Sequence, residues 1–199
     1  MNDGGRPHHG AVILAGPSGS GKSHLAERLG WPVLRLDDFY REGDCLDLPR
    51  STLGIVDWDD PRSWDAVAAI DAIVALCRTG STEVPVYDIA QSRVVGTHVV
   101  RADGPFLAEG LFADEIVSAV RAAGVLDHAI CLRRPRALTF VLRLARDLRE
   151  GRKAPWVLLR RGWRLMLDEP RIVAHAVSRG CAAMSPREAY ALLSDPARA

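Results

Sequence analysis

Short apolar runs alternate with stretches of helical periodicity along the first two-thirds of the chain. The runs Val12–Ala15, Val33–Leu36, Val84–Ile89, Pro105–Glu109 and His128–Leu132 predict strands. Between them apolar residues recur at helical spacing. One helix stops at Leu29 before Gly30 and Pro32, a second runs from Asp60-Pro61 to Gly80, and a third spans Asp114 to Ala123 before Gly124. Strand–helix alternation predicts an α/β fold with a central parallel sheet covered by helices on both faces. Ser92–Gly104 reads as a short hairpin arm. Beyond residue 135 the pattern is wholly helical, with helices at Arg136–Glu150 and Trp156–Leu167. Ser185-Pro186-Arg187-Glu188 is a capping box with proline at N1, opening a last helix into Leu193.

Composition narrows the class. A chain of 199 residues, 48% hydrophobic, is most simply one domain with a substantial core. Its 26 bases and 25 acids nearly cancel, so no bulk charge argues for nucleic acid or membrane. No run approaches the length of a membrane span. Met1–Gly10 is polar, reads as a flexible N-terminus and holds no signal-peptide core. The 4 cysteines form no C-x-x-C pair, which fits idle thiols in a reducing compartment. A cytoplasmic enzyme is the expectation.

Local charge is uneven. Asp37 to Asp71 holds an excess of acids, a candidate site for hydroxyl and metal chemistry. Arg133 to Arg164 holds an excess of bases, a candidate clamp for polyphosphate.

The sharpest motif follows the first apolar run. Gly16-Pro17-Ser18-Gly19-Ser20-Gly21-Lys22-Ser23 is a complete G-x-x-x-x-G-K-[ST] phosphate loop between a predicted strand and helix. Its glycines let backbone N–H groups curl around phosphates, and the following helix adds unpaired N–H groups and a partial positive charge. Lys22 would reach the β- and γ-phosphates, and the Ser23 hydroxyl would ligate Mg²⁺. ATP and Mg²⁺ are the expected cofactors, held by Gly16, Ser18, Gly19, Ser20, Gly21, Lys22, Ser23 and His24.

The second predicted strand ends in Leu36-Asp37-Asp38-Phe39-Tyr40. Carboxyl ends of strands line the ligand crevice of an open parallel sheet, so Asp37 is aimed where a γ-phosphate meets an acceptor. A carboxylate there can accept the proton of an attacking hydroxyl. Asp38 is expected to be the solvated member of the pair.

In order and at suitable spacing, the phosphate loop, Asp37-Asp38-Phe39-Tyr40, Asp57-Trp58-Asp59-Asp60-Pro61, Pro85-Val86-Tyr87-Asp88, Ala108-Glu109-Gly110 and Arg143 to Arg152 resemble a uridine kinase. That group includes phosphoribulokinase and bacterial pantothenate kinase, and the resemblance covers residues 10 to 153. It implies the P-loop kinase fold with a helical lid. It also implies Asp37 as catalytic base, Glu109 beside Ser23 on Mg²⁺, and Tyr40, Trp58, Asp59, Tyr87 and Arg93 around a nucleoside. Two departures stand out. The histidine that reads the pyrimidine is missing from a segment one residue shorter, where Gln91 is the substitute. The family's last strand is not recognisable after Lys153.

On a helix from Arg136, at about 100° per residue, Arg136, Arg143 and Arg146 share one face and Leu138, Val141, Ala145 and Leu148 lie opposite. The resemblance makes Arg143, Arg146 and Arg152 a lid that neutralises the transferred phosphoryl group. Bases and an aromatic interleave at Arg160–Arg164, but Trp156, Leu159, Trp163 and Met166 keep helical spacing, which places the tryptophans in a core rather than on nucleic acid. The histidines show no metal-ligand spacing.

The expected activity is transfer of the γ-phosphate of ATP to a nucleoside 5′-hydroxyl, with uridine or cytidine favoured by resemblance. The alternatives are a kinase of another small alcohol, such as a sugar or pantothenate, a P-loop ATPase or sensor acting on a partner, and an RNA-associated NTPase. The expected partner is a small nucleoside-like molecule. Residues 154–199 are left to cover the adenine side or to form an interface between copies.

Overall fold

Ala11–Ala15 (β1) is buried along its whole length, which requires neighbours on both edges and both faces. It pairs in parallel with Phe106–Glu109 (β5) on one side and Leu126–Leu132 (β6) on the other. The computed structural model describes residues 9–135 and 169–195. Within them, a five-stranded parallel sheet runs β2-β5-β1-β6-β7, with Val33–Arg35 as β2 and Ala182–Met184 as β7.

The alternation of β1 divides the core. Val12 and Leu14 pack with Leu25 and Ala26 of Lys22–Leu29 (α1) and with Ala189 and Leu193 of Pro186–Leu193 (α5). Ala11, Ile13 and Ala15 face the opposite cluster, built from Ala66–Thr79 (α2), Val117–Ala122 (α3) and helical residues 169–178 (α4). Both faces of the sheet are therefore covered, the expected α/β arrangement.

Four sequence expectations change. The second helix begins at Ala66 rather than at Asp60-Pro61: Asp60 caps a single 3₁₀ turn, Pro61–Ser63, and Asp65 caps α2 by accepting from the Ala68 N–H. Both aspartates are good N-caps, and the first opens only one turn. The third helical segment starts as a 3₁₀ turn, Ala113–Ile116, before α3. The run at Val84–Ile89 lies outside the parallel sheet. It belongs to Ser81–Asp88 (β3), which pairs antiparallel with Arg93–Arg101 (β4) in a two-stranded arm longer than expected. Lastly, the C-terminal part is not wholly helical, because β7 adds a parallel edge strand to β6 through Ile130↔Ala182 to Leu132↔Met184. The capping box at Ser185 and Glu188 forms as expected. The helices expected at Arg136–Glu150 and Trp156–Leu167 lie outside the described residues.

Helix α4 is pinned by charge. His175 Nε2 lies 2.9 Å from Glu115 Oε1 and 3.6 Å from Asp114 Oδ2, and Arg179 pairs with Glu115 at 2.7 Å.

Candidate functional site

Three strand ends meet in one row. Leu14 is in register with Glu109, and Glu109 with Arg35, so the loop after β1, the end of β5 and the turn after β2 open on the same crevice. The phosphate loop leaves β1 at Gly16, whose φ of 130° is in the left-handed half of the map. A Cβ there would meet the Leu132 carbonyl oxygen at 2.5 Å, so only glycine lets the loop turn this tightly under β6. α1 starts at Lys22 with its N-cap at Gly21. Lys22 Nζ donates to the Gly16 carbonyl at 2.7 Å and to Pro17 at 3.4 Å.

These elements enclose a cleft of about 570 Å³. It is lined by Gly16, Ser18, Gly19, Gly21, Lys22, Ser23 and His24 from the loop, by Asp37, Glu109, Gly110 and Leu111, and by Arg134. Ser20, expected at the nucleotide as part of the loop, is fully buried and is not among the residues lining the cleft. The expected base and the expected metal acid thus face the same volume as Lys22.

Asp37 and Asp38 lie in a 3₁₀ turn, Leu36–Phe39, whose Leu36 and Phe39 are both buried. With three residues per turn these two stack on the inner side, and the aspartates diverge. Asp37 emerges into the cleft, where Oδ1 accepts the Leu111 N–H at 2.8 Å. Gly110 makes that approach possible, because a Cβ on it would lie 2.8 Å from Asp37 Oδ1. Asp38 is not solvated as expected. It is 8% exposed and stands 3.8 Å from Arg35. Burial pushes its carboxyl up, and the Arg35 charge opposes this.

Burial also pushes the Glu109 carboxyl up, with Lys22 opposing and the Asp37 charge adding to the rise. A half-buried carboxylate and a serine hydroxyl around one cavity form an oxygen donor set that suits a hard divalent cation, and the Lys22 ammonium beside them suits phosphate. Ser23 and Glu109 fit Mg²⁺ on that chemistry.

The residues expected around an acceptor form a second group. Tyr40, three positions after Asp37, meets the rings of Trp58 and Tyr87, each at 5.8 Å between centroids. Its hydroxyl donates to the Trp58 carbonyl at 3.2 Å, and that of Tyr87 to the Arg41 carbonyl at 3.0 Å. Burial raises the Tyr40 phenol well above its ordinary value, and the charges of Asp37 and Asp59 add to this. Trp58, Gln91 and Arg93 line a further cleft of about 670 Å³ with Glu42, Gly43, Asp44, Ile55, Val56 and Ser92. Asp59 is exposed and lines neither cleft. The Gln91 amide nitrogen is occupied, donating to Asp88 Oδ2 at 2.5 Å within its own turn. That turn includes Ser92 at φ 52° and is tied to the opposite loop by Gly43 N–H donating to the Ser92 carbonyl at 2.7 Å.

Arg143, Arg146 and Arg152 lie outside the described residues. The sequence reading missed Arg134, Leu111, Glu42 and Asp44. Arg134 follows the end of β6 as Asp37 follows β2, so the strand-end rule applied to Asp37 would have singled it out.

No protein-family model matches the sequence, and no curated relative matches it. Among solved structures, the chain is similar to a "putative fructose transport system kinase" from Silicibacter sp. TM1040, with TM-score 0.59 and 20% identity, over 87% of this chain and 88% of the other. The fold is that of this kinase. A structure described as a "Possible Uridine Kinase" from Bacillus stearothermophilus matches over 71% of this chain and 78% of its own, with 20% identity and TM-score 0.46. Among the described residues no helix is long and apolar enough to cross a membrane.

Proposed function

We propose that the chain is an ATP-dependent kinase that phosphorylates a hydroxyl of a small molecule, with the 5′-hydroxyl of uridine or cytidine as the first candidate. One observation supports this above the others: the Asp37 carboxylate, held by the Leu111 N–H, faces the cleft that contains Lys22 and Glu109. A phosphate loop alone serves many NTPases. A carboxylate fixed opposite its lysine is what a hydroxyl acceptor needs.

In this reading the loop amides and Lys22 hold the β- and γ-phosphates. Asp37 takes the acceptor proton as the oxygen attacks phosphorus, with Oδ1 steadied by Leu111 so that the carboxylate keeps its aim. Ser23 and Glu109 would hold Mg²⁺, which supplies charge neutralisation on the phosphates. Trp58, backed by the rings of Tyr40 and Tyr87, gives the acceptor an aromatic wall, and Arg93 a polar contact. By resemblance to the uridine kinases, Arg143, Arg146 and Arg152 would neutralise charge on the transferred group.

The hairpin turn favours a second reading, a kinase of another small alcohol such as a sugar. The turn is short, and the Gln91 amide nitrogen is bound to Asp88 rather than offered to a base. ADP release with Mg-ATP against nucleosides, sugars and pantothenate, with the product identified by mass, separates the two. A phosphorylated nucleoside supports the first reading, a phosphorylated sugar or pantothenate supports the second, and hydrolysis without any phosphorylated product contradicts both.

A further inference from the structure

Arg134 sits on the phosphate loop although no motif asks for it. Its guanidinium lies over Gly21: a Cβ built there would meet Nη2 at 2.7 Å, Cζ at 3.1 Å and Nε at 3.2 Å. The bare backbone of Gly21 is therefore a seat for a planar cation. No other residue type leaves that space.

The backbone that presents Arg134 is fixed on both sides. β6 is hydrogen-bonded to β1 up to Ala15↔Cys131, the last pair before the loop begins. The Arg133 N–H donates to the Met184 carbonyl at 2.9 Å, tying the strand end to β7, and Pro135 restricts the conformation of Arg134 itself. The side chain is thus delivered to the cleft by the sheet.

Among the described residues the Arg134 guanidinium has no acid within ion-pair distance and no hydrogen-bond acceptor. Glu188 shares a neighbouring hollow with it, but that carboxylate accepts the Ser185 N–H at 2.7 Å in the capping box. A half-buried cation that lines a cleft beside Lys22 and the loop amides, with no acid paired to it among the described residues, marks that cleft as a site for more than one negative charge.

We infer that Arg134 binds the polyphosphate of the nucleotide directly, as a fork-shaped donor pre-seated on Gly21. This rests on the nucleotide-binding reading and adds a cation that belongs to the sheet rather than to the Arg143–Arg152 segment. Two N–H groups of one guanidinium match two phosphate oxygens, which a lysine at the same place cannot reproduce.

The test is calorimetric binding of ATP and of inorganic tripolyphosphate to the full chain and to Arg134→Ala, Arg134→Met and Arg134→Lys, each with its melting temperature. The expected result for Ala and Met is a loss of about ten- to a hundredfold in affinity for both ligands, with Lys intermediate. Met fills the seat without charge, so a loss shared by Ala and Met at unchanged melting temperature separates charge from packing. Tripolyphosphate affinity unchanged in Arg134→Ala, beside normal binding by the unmodified chain, overturns the inference whether or not ATP affinity falls, since a loss confined to ATP assigns the residue to the base. Failure of the unmodified chain to bind either ligand overturns the nucleotide reading itself, and this inference with it.

Discussion

The Asp37 carboxylate and the Leu111 backbone N–H meet at 2.8 Å across the cleft, joining the turn after β2 to the loop after β5. The contact depends on Gly110, whose missing side chain leaves room for Oδ1. Gly110→Ala is therefore expected to lower kcat by one to two orders of magnitude, about 10- to 100-fold, by moving the base, and to leave ATP affinity within a few-fold. Steady-state kinetics beside equilibrium ATP binding checks this.

The neighbouring aspartates should behave as opposites. Asp38 is buried in the packed 3₁₀ turn, so Asp38→Ala removes packed side-chain volume there and is expected to cost about 0.5–3 kcal/mol of stability. Asp37→Ala, at an exposed position, should cost under about 0.5 kcal/mol. Chemical denaturation of the two variants ranks them directly.

How far the sequence showed this arrangement depends on the scale of the signal. The phosphate loop was legible because its chemistry is local: the glycines, lysine and serine that make the cradle are consecutive. Asp37 was legible as a strand-end residue, but the burial of Asp38 was not. It follows from the 3₁₀ turn, whose Leu36, Asp38 and Phe39 are all buried, a tertiary packing that the local sequence does not signal. β7 was invisible because Ala182-Ala183-Met184 has helical propensity and only three residues; pairing with β6, a tertiary event, makes it a strand. Arg134 was hidden in a basic stretch where composition gave no reason to prefer one arginine over its neighbours.

Glu109 carries a cost in the free protein. Its carboxyl is raised by burial, so the folded state takes up a proton more readily than the unfolded chain does. A group shifted this way gives stability that is fully present below its unfolded pKa and lost as pH rises through its folded pKa. Glu109→Gln is expected to melt higher than the unmodified chain at neutral pH, with the gain shrinking as pH falls through the range just above ordinary carboxylate values. Melting curves between neutral and acidic pH test the sign. The same variant should lose activity if Glu109 holds Mg²⁺.

Trp58 lines the second cleft and stands edge-on to Tyr40, which makes it the aromatic best placed to contact an acceptor. Trp58→Ala is expected to raise the acceptor KM by about tenfold or more while leaving the KM for ATP nearly unchanged, given that stacked aromatic contacts are worth roughly 0.5–1.5 kcal/mol beyond buried area. Equal rises in both constants would place Trp58 in a structural role.

The central claim is that Asp37 is the base of a phosphoryl transfer whose nucleotide sits on the Lys22 loop. Acceptor-dependent ADP release, measured with Mg-ATP on the unmodified chain and on Asp37→Asn together with ATP affinity, tests it most directly. The account expects release stimulated by a nucleoside or another small alcohol, a loss of about 10²- to 10⁴-fold in Asp37→Asn, and unchanged ATP binding. Stimulated release that survives in Asp37→Asn would contradict it.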